Sequence, residues 1–89
     1  VYIITSNREI GFGRYDVILE PLNDTDDGII LEFKVHDSDE EETLPDTVAA
    51  ALAQIEEKQY AQLLIAKGIP EKRIRRYGFA FKGKTVLIG

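Results

Sequence analysis

The run IILEFKV, residues 29–35, decides how this chain is read. Its β-branched and aromatic content predicts a strand, and alternate side chains of a strand point to opposite faces. Ile29, Leu31, Phe33 and Val35 then form one apolar face, while Ile30, Glu32 and Lys34 share the other. The simplest account is an antiparallel strand with its apolar face on the core and its charged face in water. The alternative is that Glu32 and Lys34 belong to a site.

The preceding strand bears on that choice. In RYDVILE, residues 14–20, Tyr15, Val17 and Leu19 fall on one face and Arg14, Asp16, Ile18 and Glu20 on the other. The intervening PLNDTDDG, residues 21–28, is a loop by composition. A symmetric closure pairing Glu20 with Gly28 sets Asp16 opposite Glu32 and Arg14 opposite Lys34. A slip of two residues sets Asp16 opposite Lys34 instead. In either register an Asp, a Glu and a Lys converge on one patch of one sheet face. Like charges across a ladder are destabilising unless something positive lies between them, and a divalent metal would serve. Oxygen ligands suit Mg²⁺ or Mn²⁺ better than zinc. A neighbouring lysine would help orient or deprotonate an attacking water, or steady charge developing on a phosphate.

The remaining segments predict a layered α/β fold. VYIITS, residues 1–6, reads as a strand that ends in the turn SNREIGFG. HDSDEEET, residues 36–43, reads as a solvated connector. A single long helix is expected over residues 44–67, with Thr43 and Asp46 as a capping box, Pro45 in the first turn and Gly68 as its stop. Val48, Leu52, Ile55, Leu63 and Ala66 fall near one face, expected to pack on the sheet. RIRRYGFAF and KTVLIG close the chain as two strands joined at a Lys-Gly turn. Three strands, a helix and two strands give a mixed sheet with the helix on one face.

Eighty-nine residues support one domain, spanning residues 1–89. Without cysteine, neither disulfides nor a thiolate zinc site is available, and a reducing, cytoplasmic setting is the expectation. No apolar run approaches the length of a membrane helix. The chain opens on Val1, already in a strand, and has no methionine, so we expect a piece of a longer protein. The net charge of −5 is uneven. Residues 1–66 hold fifteen acids against four Lys or Arg, and residues 67–89 hold seven Lys or Arg against one acid. The acidic balance argues against tight non-specific nucleic-acid binding. The basic end leaves room for a local contact surface.

Tyr15-Asp16, a variable hairpin, Glu32-Phe33-Lys34 and then a helix resemble the PD-(D/E)XK nuclease superfamily, with its restriction-endonuclease-like fold. The similarity is closest to a poorly characterised bacterial branch often joined to AAA-ATPase-like domains. It is carried by SNREIGFGRYD, EFK, ALAQIEEKQYA and YGFAFKGK, in order along nearly the whole chain. The resemblance implies a DNA-cleaving enzyme that uses Mg²⁺ or Mn²⁺. Asp16, Glu32 and the backbone carbonyl of Phe33 would hold the metal, Lys34 would be the catalytic lysine, and Gln54 would lie near the site. Some branches carry a tyrosine four residues after that glutamine. Here position 58 is Lys, and Tyr60 lies about 120° further round a continuous helix, a weaker substrate-side candidate. The resemblance also implies a helix ahead of the first strand, which can add an acid to the metal site and has no counterpart in this sequence.

Arg8 and Arg14 flank the Gly-Phe-Gly turn and are candidates for a substrate phosphate, or for pairing with nearby acids. Phe12 is a base-stacking candidate or a loop anchor. His36, directly after the third strand, is a minor candidate for touching the site and otherwise reads as an exposed strand end. Lys72, Arg73, Arg75 and Arg76 read as a DNA-backbone contact or a solubilising edge. Two competing readings remain: a catalytically inactive module of the same fold for DNA binding or assembly beside an ATPase domain, and a metal-free structural domain. A homo-oligomer is an open alternative.

Overall fold

The computed structural model describes residues 1–9 and 13–89. It comprises strands β1 (Tyr2–Glu9), β2 (Arg14–Pro21) and β3 (Gly28–Val35), helices α1 (Leu44–Glu57) and α2 (Tyr60–Ala66), a 3-10 turn (Glu71–Arg73), and strands β4 (Ile74–Lys82) and β5 (Thr85–Ile88). The five strands form one mixed sheet in the order β1-β2-β3-β4-β5, with β3 and β4 parallel and the other neighbours antiparallel. The helices make the crossover that parallel pairing requires. Strands β2 and β3 adopt the symmetric register, with Asp16 opposite Glu32 and Arg14 opposite Lys34.

The expected single helix is two. Thr43 and Asp46 form the capping box and Pro45 lies in the first turn, but α1 stops at Glu57 with Lys58 as its C-cap. Gln59 then takes a left-handed conformation, φ 57°, before α2 begins. An L-residue there costs roughly 1–2 kcal/mol. The break also turns the second segment: Ala61 and Leu64 are buried, whereas Leu63, predicted to face the sheet, is 54% exposed and Ala66 is also exposed. Gly68, with φ +97°, provides the predicted stop.

Which face the helices cover is the larger surprise. They lie over the charged face of β2 and β3, so Ile30, Glu32 and Lys34 are buried while Val35 on the apolar face is 56% exposed. This overturns the simplest account, in which the charged face was wet. Ile18, Ile30 and Ile74 share the covered face and pack with Ile55, Ala61, Leu64 and Ile69 into the core. Each such fully buried Ile or Leu contributes roughly 2 kcal/mol, enough to seat the helices on this face despite its charges. Across the other face, Phe33 stacks on Phe79 at 4.7 Å and contacts Tyr15 at 5.4 Å, cross-strand contacts that need no covering layer. The covered face is therefore graded. Ile18 and Ile30 form its apolar end, Asp16 and Glu32 its middle, and Arg14 and Lys34 its rim.

The backbone of α1 comes close to the sheet at Gly78, the β4 neighbour of Glu32. A Cβ there would stand 3.0 Å from the Val48 carbonyl oxygen and 3.1 Å from the Ala51 Cβ. Gly78→Ala is expected to lower unfolding free energy by about 2 kcal/mol through overpacking, readable as a reduced urea midpoint at unchanged slope.

Candidate active site

Four neighbours on the covered face, Asn7, Asp16, Glu32 and Gly78, form one row across β1, β2, β3 and β4. Asp16 and Glu32 are both 0% exposed. Two like charges side by side in a low-dielectric layer demand compensation. Much of it arrives at Asp16. Its Oδ2 accepts a hydrogen bond from the Lys58 ammonium at 3.0 Å and another from the Tyr60 hydroxyl at 2.9 Å. Its Oδ1 accepts from the Asn7 amide at 3.1 Å. Tyr60 reaches this oxygen because the left-handed turn at Gln59 rotates α2 relative to α1. The 120° separation that a continuous helix would impose does not apply. Burial, reinforced by the hydrogen bond to Asp16 and its negative charge, pushes the Tyr60 phenol up to about 12.

Lys34 leads to a second cluster. Its ammonium donates to Glu41 Oε2 at 2.5 Å, and both side chains are about 7% exposed. Glu41 Oε1 accepts from the Asp37 N–H at 2.8 Å and the Thr47 hydroxyl at 2.9 Å. His36 Nδ1 lies 2.7 Å from the same hydroxyl, with its side chain 5% exposed. The acidic run is thus not wholly a solvated connector, and His36 is not an exposed strand end. The backbone folds back through Asp37 to bring one of its acids onto Lys34. Burial alone would raise the Glu41 carboxyl, but the hydrogen bonds from Lys34, the Asp37 N–H and Thr47, with the Lys34 charge, hold it below its ordinary 4.5.

Between the two clusters, Arg14 donates to the Gln54 side-chain oxygen at 2.7 Å, tying the sheet rim to α1. Arg14 and Lys34 line a cleft of about 690 Å³ whose walls include Asp37, Glu40, Glu42 and Asp46. Asp16, Glu32, Lys34, Gln54, Arg14 and Tyr60 thus share the covered face and its helices. Phe33 lies mid-strand with its ring on the opposite face, in a strand paired on both sides. Arg8 pairs with Tyr15 and so belongs to the opposite face from Asp16. Phe12 falls outside the described residues. In the basic cluster, Lys72 and Arg73 lie in the 3-10 turn and Arg75 and Arg76 at the start of β4, ahead of the stretch 79–82 that pairs with β5, and much of the cluster is engaged locally. Arg73 donates to the Asp26 carbonyl, Arg75 pairs with Asp27 at 3.1 Å, and Arg76 pairs with Glu56 and Glu71.

Asn7, Glu41, Thr47 and Lys58 were missed in the sequence. Lys58 carried a usable signal, since it lies four residues after Gln54 on the same helix face. Asn7 carried a weaker one, as the partner of Asp16 once β1 is placed. Nothing in the pattern separates Glu41 from the acids around it.

The family model of the PD-(D/E)XK nuclease superfamily matches residues 1–89. The chain belongs to the PD-(D/E)XK nuclease superfamily. No curated protein and no solved structure matches it. Nucleases of this superfamily typically use divalent metals. Among the described residues no group of three or more His, Asp or Glu side chains forms a metal cluster. The donors present still suit a hard cation, because Mg²⁺ is commonly held by one or two carboxylates, with water and substrate phosphate completing its shell. Asp16 and Glu32, adjacent and on one face, are such a pair. No helix among the described residues is long and apolar enough to cross a membrane.

The Glu41 shift sets a pH dependence. A carboxyl held below its unfolded value stabilises the fold fully above about pH 4.5, and that contribution is lost as pH falls through the folded value. Glu41→Gln should cost about 3 kcal/mol at pH 7 by leaving Lys34 buried without its charge partner. It should also flatten the fall in stability below pH 4.5, as followed by urea unfolding across the acid range.

Tyr60 titrates in the opposite sense. Its phenol is held above the ordinary 10.0, so its contribution is whole below pH 10 and fades as pH climbs through about 12. In a spectrophotometric titration, Tyr60→Phe should remove the last phenolate to appear.

Proposed function

We propose that this domain hydrolyses DNA phosphodiester bonds with Mg²⁺ or Mn²⁺ as cofactor. The observation that carries the reading is the direct cross-strand pairing of Asp16 and Glu32, with Lys34 two residues further along β3 on the same face at the cleft rim. Asp16 and Glu32 would hold the cation, the Phe33 carbonyl being a further ligand that the resemblance suggests. A divalent cation held there would supply charge neutralisation for the scissile phosphate and would lower the pKa of water.

The chain's own groups have separate tasks. Lys34, released from Glu41, would steady negative charge on the phosphate or the incoming nucleophile. Arg14, fixed by Gln54, would receive a substrate phosphate at the rim, since a guanidinium presents paired donors to phosphate oxygens. The acidic cleft wall favours a substrate whose charge is partly neutralised by the cation over broad backbone binding. DNA as partner, an ATPase-like domain elsewhere in the same protein and a cytoplasmic setting complete the proposal.

A second reading is favoured by the partners of Lys34 and Asp16. Lys34 is committed to Glu41, and Asp16 accepts three hydrogen bonds within the chain, as expected if the nuclease fold persists as a non-catalytic module for DNA binding or assembly.

Cleavage of supercoiled and single-stranded DNA with Mg²⁺ or Mn²⁺ separates the two. The nuclease reading expects cutting that falls at least 100-fold in Glu32→Gln and in Lys34→Ala, with chelator abolishing it. Absence of metal-dependent cutting, or cutting unchanged in both variants, would favour the inactive module.

A further inference from the structure

We infer that Lys58 is a built-in counter-ion for the carboxylate pair, occupying charge space that a divalent cation must take from it. The inference rests on the metal-binding reading above and concerns a residue to which that reading gives no role.

Three observations converge on it. Asp16 and Glu32 are fully buried neighbours, an arrangement that is strongly unfavourable when uncompensated. The Lys58 ammonium sits 3.0 Å from Asp16 Oδ2, the same oxygen that accepts from Tyr60. Lys58 is also the C-cap of α1, with its N–H bonded to the Gln54 carbonyl at 3.0 Å. Its backbone position is therefore fixed while its side chain lies at a helix end.

Exposure sharpens the point. The Asp16 side chain is 1% exposed, whereas that of Lys58 is 19% exposed. A lysine stem is flexible and its head strongly hydrated, so the ammonium can leave for water without unwinding α1. Asp16 cannot leave its strand. A cation drawing on Asp16 would share or displace the donors on Oδ2, and Lys58 is the one whose charge repels it. Like charges a few ångströms apart repel strongly in a partly buried layer, and a doubly charged ion does so more than a single charge. Tyr60 is neutral and Asn7 binds the other oxygen, so neither opposes the ion in this way.

The exchange has a defined signature. Without metal, Lys58 supports the fold by offsetting the carboxylates; with metal, it opposes the ion that would replace it. Removing its charge should therefore weaken the metal-free fold and strengthen metal binding together, which a purely structural lysine would not do.

The test compares the parent chain with Lys58→Met, which keeps the stem length, and Lys58→Gln, which keeps a polar head should the first fold poorly. Thermal melting is followed with and without Mn²⁺, and Mn²⁺ binding by calorimetry, with Asp16→Asn as the site control. The expected result is a lower melting temperature without metal in the Lys58 variants and recovery on adding Mn²⁺. Mn²⁺ affinity should rise at least tenfold over the parent and be lost in Asp16→Asn. Metal-dependent recovery in a variant that is unfolded without Mn²⁺ would support the inference equally. Parent and variants binding Mn²⁺ with equal affinity would overturn it while leaving the metal reading intact, as would weaker binding in the variants. No Mn²⁺ response in any chain would overturn the inference together with the reading beneath it.

Discussion

Two buried carboxylates facing each other across a pair of antiparallel strands are the constraint around which the covered face is organised. Asp16 and Glu32 cannot be moved apart, because the β2–β3 register that pairs them also aligns Ile18 with Ile30 at the apolar end of the same face. Slipping the register would sacrifice core burial to relieve repulsion. The chain instead brings compensation to Asp16 from three elements: Asn7 on β1, Lys58 at the end of α1 and Tyr60 at the start of α2. The left-handed residue at Gln59 belongs to the same solution. A local backbone cost lets one helix end and the next begin on a single carboxylate oxygen.

The Lys34 arm solves a related problem differently. Here a basic group is the buried partner, and the compensating acid comes from a connector. Glu41 is held by a backbone N–H and a hydroxyl as well as by Lys34, so its geometry is set even if the ammonium moves away. The two clusters on the covered face thus differ in kind. One is closed by helix side chains, and the other opens onto a cleft whose walls are mostly acidic.

How far this was legible in the sequence follows from which interactions are periodic. Strand alternation identified Asp16, Glu32 and Lys34 as sharing a face, and turn composition correctly limited the hairpin to two registers. Capping residues located the start of α1. Alternation assigns residues to faces, however, and does not say which face is covered. An apolar stripe of Leu31, Phe33 and Val35 suggested the wrong one, because aromatic cross-strand stacking tolerates an open face while Ile18, Ile30 and Ile74 seat the helices on the other. The helix break was illegible for a different reason. Gln59 is an ordinary helix residue by propensity, and its left-handed conformation goes with the two contacts that its neighbours Lys58 and Tyr60 make to Asp16. Convergence of like charges already raised a metal site, and family resemblance supplied Gln54, while Lys58 and Glu41 emerged only once the chain was folded.

Gly78 completes the carboxylate row with no side chain at all, and that absence sets a length scale. The α1 backbone rests against β4 at this point, so the missing Cβ fixes how far the helix stands above the sheet. Lys58 hangs from the end of the same helix, and its stem has a finite reach. Any residue at 78 bulky enough to prop the helix up would act as though Lys58 had been shortened, drawing its ammonium back from Asp16. A position on a neighbouring strand, without charge or chemistry of its own, therefore gauges the electrostatics of the site.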